Sequence, residues 1–143
     1  MSDCVFCTLI ADPGQRSTVY EDERLVALLD ITPLNPGHVL LVPRRHAAQL
    51  ADVDEETGAH LFRIAMRTQQ AIRRSGVRCE GINMFVADGE AAFQDVFHFH
   101  LHVFPRFRGD AFRIEADWRE APRTELERVA ADVRAAYQEL WAA

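Results

Sequence analysis

Three of the chain's six histidines, His98, His100 and His102, fall within five residues. Phe97, Phe99, Leu101 and Val103 alternate with them. That alternation predicts a strand over 96–104, because successive side chains of a strand point to opposite faces. The histidines then share one face and the apolar residues the other. Rings at alternate positions stand about 6.6–7 Å apart, from a rise of about 3.3 Å per residue. Such a row can bind a metal, can face solvent without a role, or can do chemistry on phosphorus. In the last case one neutral imidazole attacks and later leaves, and its neighbours move protons. An ordinary pKa near 6.5 keeps the ring mostly neutral for that task. If one ring N–H is held by a carbonyl or carboxylate, the other nitrogen offers its lone pair.

Two further groups carry chemistry. His38 closes the turn Asn35-Pro-Gly-His38 and opens a strand, where a fourth imidazole can complete a proton relay. Cys4 and Cys7 form a Cys-x-x-Cys pair. The pair reads as a redox motif, as two small buried apolar residues, or as half of a tetrahedral zinc site that needs two more ligands. A thioredoxin-like site needs a preceding strand, and residue 4 leaves no room for one.

The elements that position these groups follow from the apolar pattern. Runs over 26–30 and 38–42 read as short strands separated by Pro33, Pro36 and Gly37. Pro43 ends the second of them. A helix is expected over 53–75, capped by Asp52 with Glu55, carrying Leu61, Ala65, Thr68 and Ile72 on one face, and stopped at Gly76. Residues 81–86 form a third strand, and Pro105 ends the fourth, at 96–104. A last helix covers 125–141, with Thr124 and Glu127 as a capping box and a stripe of Leu126, Val129, Val133, Tyr137 and Leu140. Strands paired around one long helix favour α+β with an antiparallel sheet over a doubly wound parallel one.

Composition sets the outer bounds. With 143 residues the chain is read as one domain able to bury its own core. Lys and Arg number 16 against 22 Asp and Glu, a net charge of −6. That balance excludes general binding to nucleic acid or to anionic membranes, both of which need a basic footprint. No apolar run approaches the roughly 20 residues of a membrane span, and no signal peptide is evident at the N-terminus. A cytoplasmic location is expected.

The motifs together resemble the histidine triad (HIT) family. The resemblance is carried by His98-Phe-His100-Leu-His102 with Arg106 after it, by Gln94, by Asp30-Ile31, by Asn35-Pro-Gly-His38 and by Pro43-Arg-Arg-His46. It spans about 4–108, leaving 109–143 as a helical extension of the single domain. It implies an α+β fold with an antiparallel sheet of about five strands, one long helix on the sheet and a C-terminal helix. It also implies a homodimer through the long helix and the strand at 81–86. The implied activity is nucleotidyl hydrolysis or transfer at the α-phosphate of nucleoside monophosphate conjugates, such as phosphoramidates or dinucleoside polyphosphates. His100 would be the nucleophile and form a nucleotidyl-histidine. His102 would contact the phosphate or the departing group, and His38 would support the relay.

The same resemblance implies a substrate site. Gln94 would bond the phosphate, with Asp95 beside it; Asp30 would accept from the ribose hydroxyls; Phe6, Leu28, Leu29 and Ile31 would form the base slot. Bacterial members complete the Cys-x-x-Cys with two histidines, which here are His46 and His98. The implied cofactor is therefore a structural zinc on Cys4, Cys7, His46 and His98, and no cofactor enters the chemistry. His98 stands at a fork, since a zinc ligand is not a free proton carrier. Three positions depart from the family. Phe93 stands where Gly often precedes the Gln, Asp95 where Ser or Thr donates to phosphate, and Ala87 where Asn or Gln is common. These departures keep a second reading open, a nucleotide-binding regulatory module with little turnover. A protein that uses the histidine row as a metal face is a third.

Overall fold

Leu25–Leu29 and Val39–Pro43 are built of Val, Leu, Ala and a final Pro, and they are the interior of a sheet. They form β2 and β3, after a first strand β1 at Thr18–Glu21 and before β4 at Gly81–Phe85 and β5 at Leu101–Arg106. The sheet has five antiparallel strands in the order β1-β2-β3-β5-β4. Three helices complete the chain: α1 at Val5–Ala11, α2 at Glu55–Arg74 and α3 at Arg123–Trp141. This structure, a computed structural model, describes residues 3–141. It divides into two units, one through Phe112 and one from Arg113 onward. The α+β architecture is the one expected, with two additions, α1 and β1.

Alternation along β2 and β3 sends side chains to both faces of the sheet. Leu25, Ala27, Val39 and Leu41 meet Leu61, Ile64, Ala65 and Ile72 of α2, together with Leu101 and Val103 of β5. Val26, Leu28, Leu40 and Val42 meet Phe6 of α1 on the opposite face. Leu40 pairs with His102 across the β3–β5 ladder. That register turns His102 toward the α1 side, away from the long helix.

Several boundaries differ from expectation for local reasons. Asp54, not Asp52, caps α2 by accepting from the Thr57 N–H at 3.0 Å. Asp52 instead closes a short 3₁₀ turn with Gln49. The helix stops at Ser75, one residue before Gly76. β5 begins only at Leu101, so His98 and His100 precede the strand and Phe97 is exposed rather than packed. β5 also runs through Pro105. The missing N–H of Pro105 lies beyond the last β3 partner, Val39, and its carbonyl accepts from Asn35 Nδ2 at 2.9 Å, so no ladder bond is lost.

In the second unit, the apolar stripe of α3, Leu126, Val129, Val133, Tyr137 and Leu140, is exposed. Among the described residues no helix is long and apolar enough to cross a membrane.

Candidate active site and metal centre

The histidine run supplies two neighbouring sites because each ring is tied at a different nitrogen. His98 is fully buried, and its Nε2 lies 2.7 Å from the Pro43 carbonyl. A carbonyl only accepts, so Nε2 carries the proton and Nδ1 holds the lone pair. That lone pair faces Cys4 Sγ at 3.3 Å and Cys7 Sγ at 3.6 Å, and His46 Nδ1 lies 3.4 Å from Cys7 Sγ. One ligand atom from each of Cys4, Cys7, His46 and His98 falls within 4.8 Å of the others. A zinc tetrahedron with Zn–S near 2.3 Å and Zn–N near 2.05 Å has S···N edges of about 3.6 Å. The donor set fits zinc in kind and in spacing. Burial raises the Cys7 thiol pKa and the Cys4 sulfur raises it further, a penalty on the thiolate that a bound cation relieves.

Two residues on, the polarity of the ring is reversed. His100 Nδ1 lies 2.8 Å from the His98 carbonyl, so Nδ1 carries the proton and Nε2 is left with its lone pair. The His100 and His102 ring centroids are 4.9 Å apart. The His102 tautomer is set from outside the run. The Leu34 N–H donates to His38 Nδ1 at 3.1 Å, which leaves His38 protonated at Nε2. His38 Nε2 then donates to His102 Nδ1 at 2.8 Å, so His102 carries its proton on Nε2. The result is an acceptor nitrogen on His100 beside a donor nitrogen on His102.

Burial favours the neutral form of His38 and His102. Desolvation pushes the His102 pKa down to about 4, with His100 and His38 adding to the shift. Desolvation also lowers His38, against the opposing charge of Asp30, whose Oδ2 stands 3.7 Å from His38 Nε2. Asp30, His38 and His102 are close enough to suggest a second metal cluster. The Leu34 N–H argues otherwise, because it occupies the Nδ1 lone pair and leaves His38 Nε2 a donor. Within that trio His38 and His102 are hydrogen-bonded, and Asp30 stands beyond hydrogen-bond distance of His38 as a neighbouring charge.

His100 and His102 open onto a cleft of about 340 Å³ that is also lined by Phe6, Leu28, Leu29, Asp30, Ile31 and Asp95. Every expected substrate residue but one therefore meets the proposed nucleophile. The exception is Gln94. It is buried, its Oε1 accepts from the Gly89 N–H at 2.8 Å, and its Nε2 donates to the Ala48 carbonyl at 2.7 Å and the Val96 carbonyl at 3.1 Å. Its amide closes its own loop and does not line the cleft. Arg106, a basic residue near the triad in sequence, points instead at Asp110, Asn83 and Phe112.

Two features of the surrounding loops were not readable beforehand. Arg16 also lines the cleft, where its guanidinium bonds the Leu9 carbonyl, Thr18 and Glu21 and so joins α1 to β1. A lone arginine beside Pro13 and Gly14 carries no signal for that role. Phe93 adopts the left-handed conformation, φ 66° and ψ 28°, with its ring exposed. That conformation favours glycine, since a side chain costs about 1–2 kcal/mol in that region.

Comparison with known proteins agrees with the geometry. The HIT domain model matches residues 14–109. The HIT-like protein Rv1262c of Mycobacterium tuberculosis is 40% identical over 111 residues, 78% of this chain and 76% of that protein. The crystal structure of a Zn-bound histidine triad family protein from Mycobacterium smegmatis matches with a TM-score of 0.73 and 36% identity, covering 98% of this chain and 99% of that one. A HIT family protein from Bacillus anthracis matches with a TM-score of 0.82 and 32% identity, covering 94% and 96%.

Proposed function

The chain belongs to the HIT, or histidine triad, family, and from that premise we propose that it is a nucleotidyl hydrolase or transferase acting at the α-phosphate of nucleoside monophosphate conjugates. One observation carries the reading: His100 is tied at Nδ1 by the His98 carbonyl and lines a cleft with Asp30 and His102. In the first step His100 Nε2 forms a bond to phosphorus and the bond from phosphorus to the leaving group breaks. The leaving atom departs with the electron pair and takes its proton from solvent. The nucleotidylated ring is then a cation whose Nδ1–H stays on the His98 carbonyl, which makes it a good leaving group for the second step. Water or another acceptor attacks phosphorus, the N–P bond breaks, the pair returns to Nε2 and the acceptor's proton is released. His102 Nε2–H serves as the hydrogen-bond donor to the phosphate or the departing atom, where charge grows in the transition state.

Substrate recognition follows from the lining. Asp30 Oδ1 is engaged by the Thr32 N–H and hydroxyl, at 2.9 and 3.1 Å, which leaves Oδ2 for the ribose hydroxyls. Phe6, Leu28, Leu29 and Ile31 form the base slot; Ile31 is 95% exposed, an apolar side chain that a planar base would cover. Asp95, a cleft residue beside the phosphate position, favours substrates with a neutral or cationic leaving group, as in phosphoramidates. Zinc on Cys4, Cys7, His46 and His98 is structural in this reading and ties α1 to the residues before β5. Two chains join through α2 and β4, where Phe62 and Met66 are exposed.

The test is a single-turnover reaction with a nucleoside phosphoramidate, followed by intact-mass and peptide mapping. The expected adduct is one nucleoside monophosphate on His100, absent from His100→Ala. Tight nucleotide binding without adduct or turnover on any ester, anhydride or phosphoramidate would instead make the chain a regulatory binding module. Light scattering in solution gives the subunit count.

A further inference from the structure

The His38 tautomer depends on the 34–38 turn, and that turn is held by residues outside the cleft. Asn35 is buried, and its Nδ2 donates to the Pro105 carbonyl and to Asp110 Oδ2, both at 2.9 Å. Asp110 is buried as well. It takes a two-pronged ion pair from Arg106, Nε to Oδ2 at 2.7 Å and Nη2 to Oδ1 at 2.8 Å, and it accepts from the Phe107 N–H. Arg106 is anchored in turn on Asn83 Oδ1 of β4 at 2.8 Å. The Asn35 carbonyl accepts the His38 N–H at 3.1 Å, which closes the turn, and within it the Leu34 N–H reaches His38 Nδ1. A charge-assisted pair of this kind is rigid and directional. Asp110 lies one residue past the segment that the family model matches.

We infer that Asp110, with Arg106 and Asn35, is a positioning device for the reaction: the buried bracket holds the turn so that the Leu34 N–H fixes His38 as a donor and thereby aims the His102 proton into the cleft. The inference rests on the nucleotidyl-transfer reading for its consequence in rate, but not for its consequence in structure. Without the bracket, the turn relaxes, His38 Nδ1 loses its donor, and His38 and His102 can each carry the proton on either nitrogen. Half of the ring orientations then present a lone pair where the phosphate needs a donor.

The experiment is long-range ¹H–¹⁵N correlation on the zinc-loaded full chain at neutral pH, on wild type, Asp110→Ala, Asn35→Ala and the double variant. In wild type, His38 and His102 give the Nε2–H tautomer and His100 gives the Nδ1–H tautomer. In each variant, His38 and His102 shift to mixed tautomers while His100 is unchanged, which serves as the internal control for folding. The turnover number falls about 10- to 100-fold, KM for the nucleotide changes less than about threefold, and the double variant is no worse than the worse single one. A folded Asp110→Ala chain whose His38 and His102 signals match wild type overturns the inference, whatever its rate. Asp110→Asn keeps the shape and the Asn35 acceptor while losing the ion pair, and it is the variant to read if alanine does not fold; unchanged tautomers and rate there overturn the role of the charge. A wild type that shows the stated tautomers but no turnover defeats the nucleotidyl-transfer reading and leaves the bracket standing.

Discussion

The run from His98 to His102 uses the same side chain in opposite senses at a metal end, His98, and a catalytic end, His100 with His102. At His98 a carbonyl holds Nε2, and the free Nδ1 turns toward two thiols and a second histidine. At His100 a carbonyl holds Nδ1, and the free Nε2 belongs to a ring that lines the cleft. In the proposed reading, residue type does not separate a metal ligand from a nucleophile. What separates them is which nitrogen the backbone takes, and the backbone can choose because β5 starts only after both residues. The proposed reading assigns His98 to zinc rather than to the proton relay, because its free Nδ1 faces both thiols.

The comparison is best broken by pairing variants. His100→Ala should lower turnover by more than about 10³-fold while zinc content, measured by atomic emission, stays at wild-type level. Retained turnover in that variant would remove the distinction between the two ends. Cys4→Ala should do the reverse. It loses the metal and several kcal/mol of stability, on the order of what structural zinc contributes in small sites, with the thermal midpoint as the measure. Asp30→Asn sharpens the catalytic end. It should cost about 10- to 100-fold in kcat/KM with ribonucleotide substrates, the worth of a hydrogen bond to a charged group, and almost nothing with 2′,3′-dideoxy analogues.

Acid should separate the ends again. Because the His102 pKa is held down to about 4 in the folded chain against about 6.5 unfolded, the unfolded chain binds the extra proton between those values. The stability that depends on a neutral His102 is therefore complete above about pH 6.5 and declines as pH falls toward about 4. The buried His38 shifts in the same direction. Denaturant midpoints across pH 4–7 in wild type and His102→Gln measure it, and the wild-type slope should flatten in the variant. The smallest effect belongs to Phe93→Gly. Relief of the left-handed strain, about 1–2 kcal/mol, is partly offset by the extra freedom of glycine in the unfolded chain, roughly 0.5–1 kcal/mol. The net gain should fall between zero and about 1.5 kcal/mol by chemical denaturation.

Much of the fold was legible because its signals are local. The continuous apolar runs within 26–30 and 38–42 and the helical stripe of Leu61, Ala65, Thr68 and Ile72 lie where the sheet and α2 bury them. The short elements were not legible. Seven residues of α1 carry one buried side chain, Phe6, too few for a periodic signal. Over 96–104 the alternation predicts a strand throughout, whereas at His98 and Phe99 it arises from tertiary demands: His98 reaches the Pro43 carbonyl and Phe99 enters the core. For the site, residue types and motif order located the cleft and the thiol–imidazole cluster. Gln94 shows a limit of sequence: nothing there distinguishes an amide that faces a ligand from one whose bonds, as here, go to the surrounding backbone. Asp110 went unnoticed because its partner Asn35 is 75 residues away in the chain.

Gly37 gives the site one more property. Its φ is +97°, and a methyl group added there would stand 2.8 Å from Val77 Cγ1 and 3.4 Å from Pro105. The segment beside it is a connection between strands, the kind of place where proteins ordinarily accept insertions and drift. Here a hairpin bend inherits the intolerance of an interior residue. A saturation survey of the chain should register a cold spot that begins within 34–38 and runs on into buried β3, set off from the exposed Thr32 and Pro33 before it, a pattern that packing density, more than proximity to any ligand, would produce.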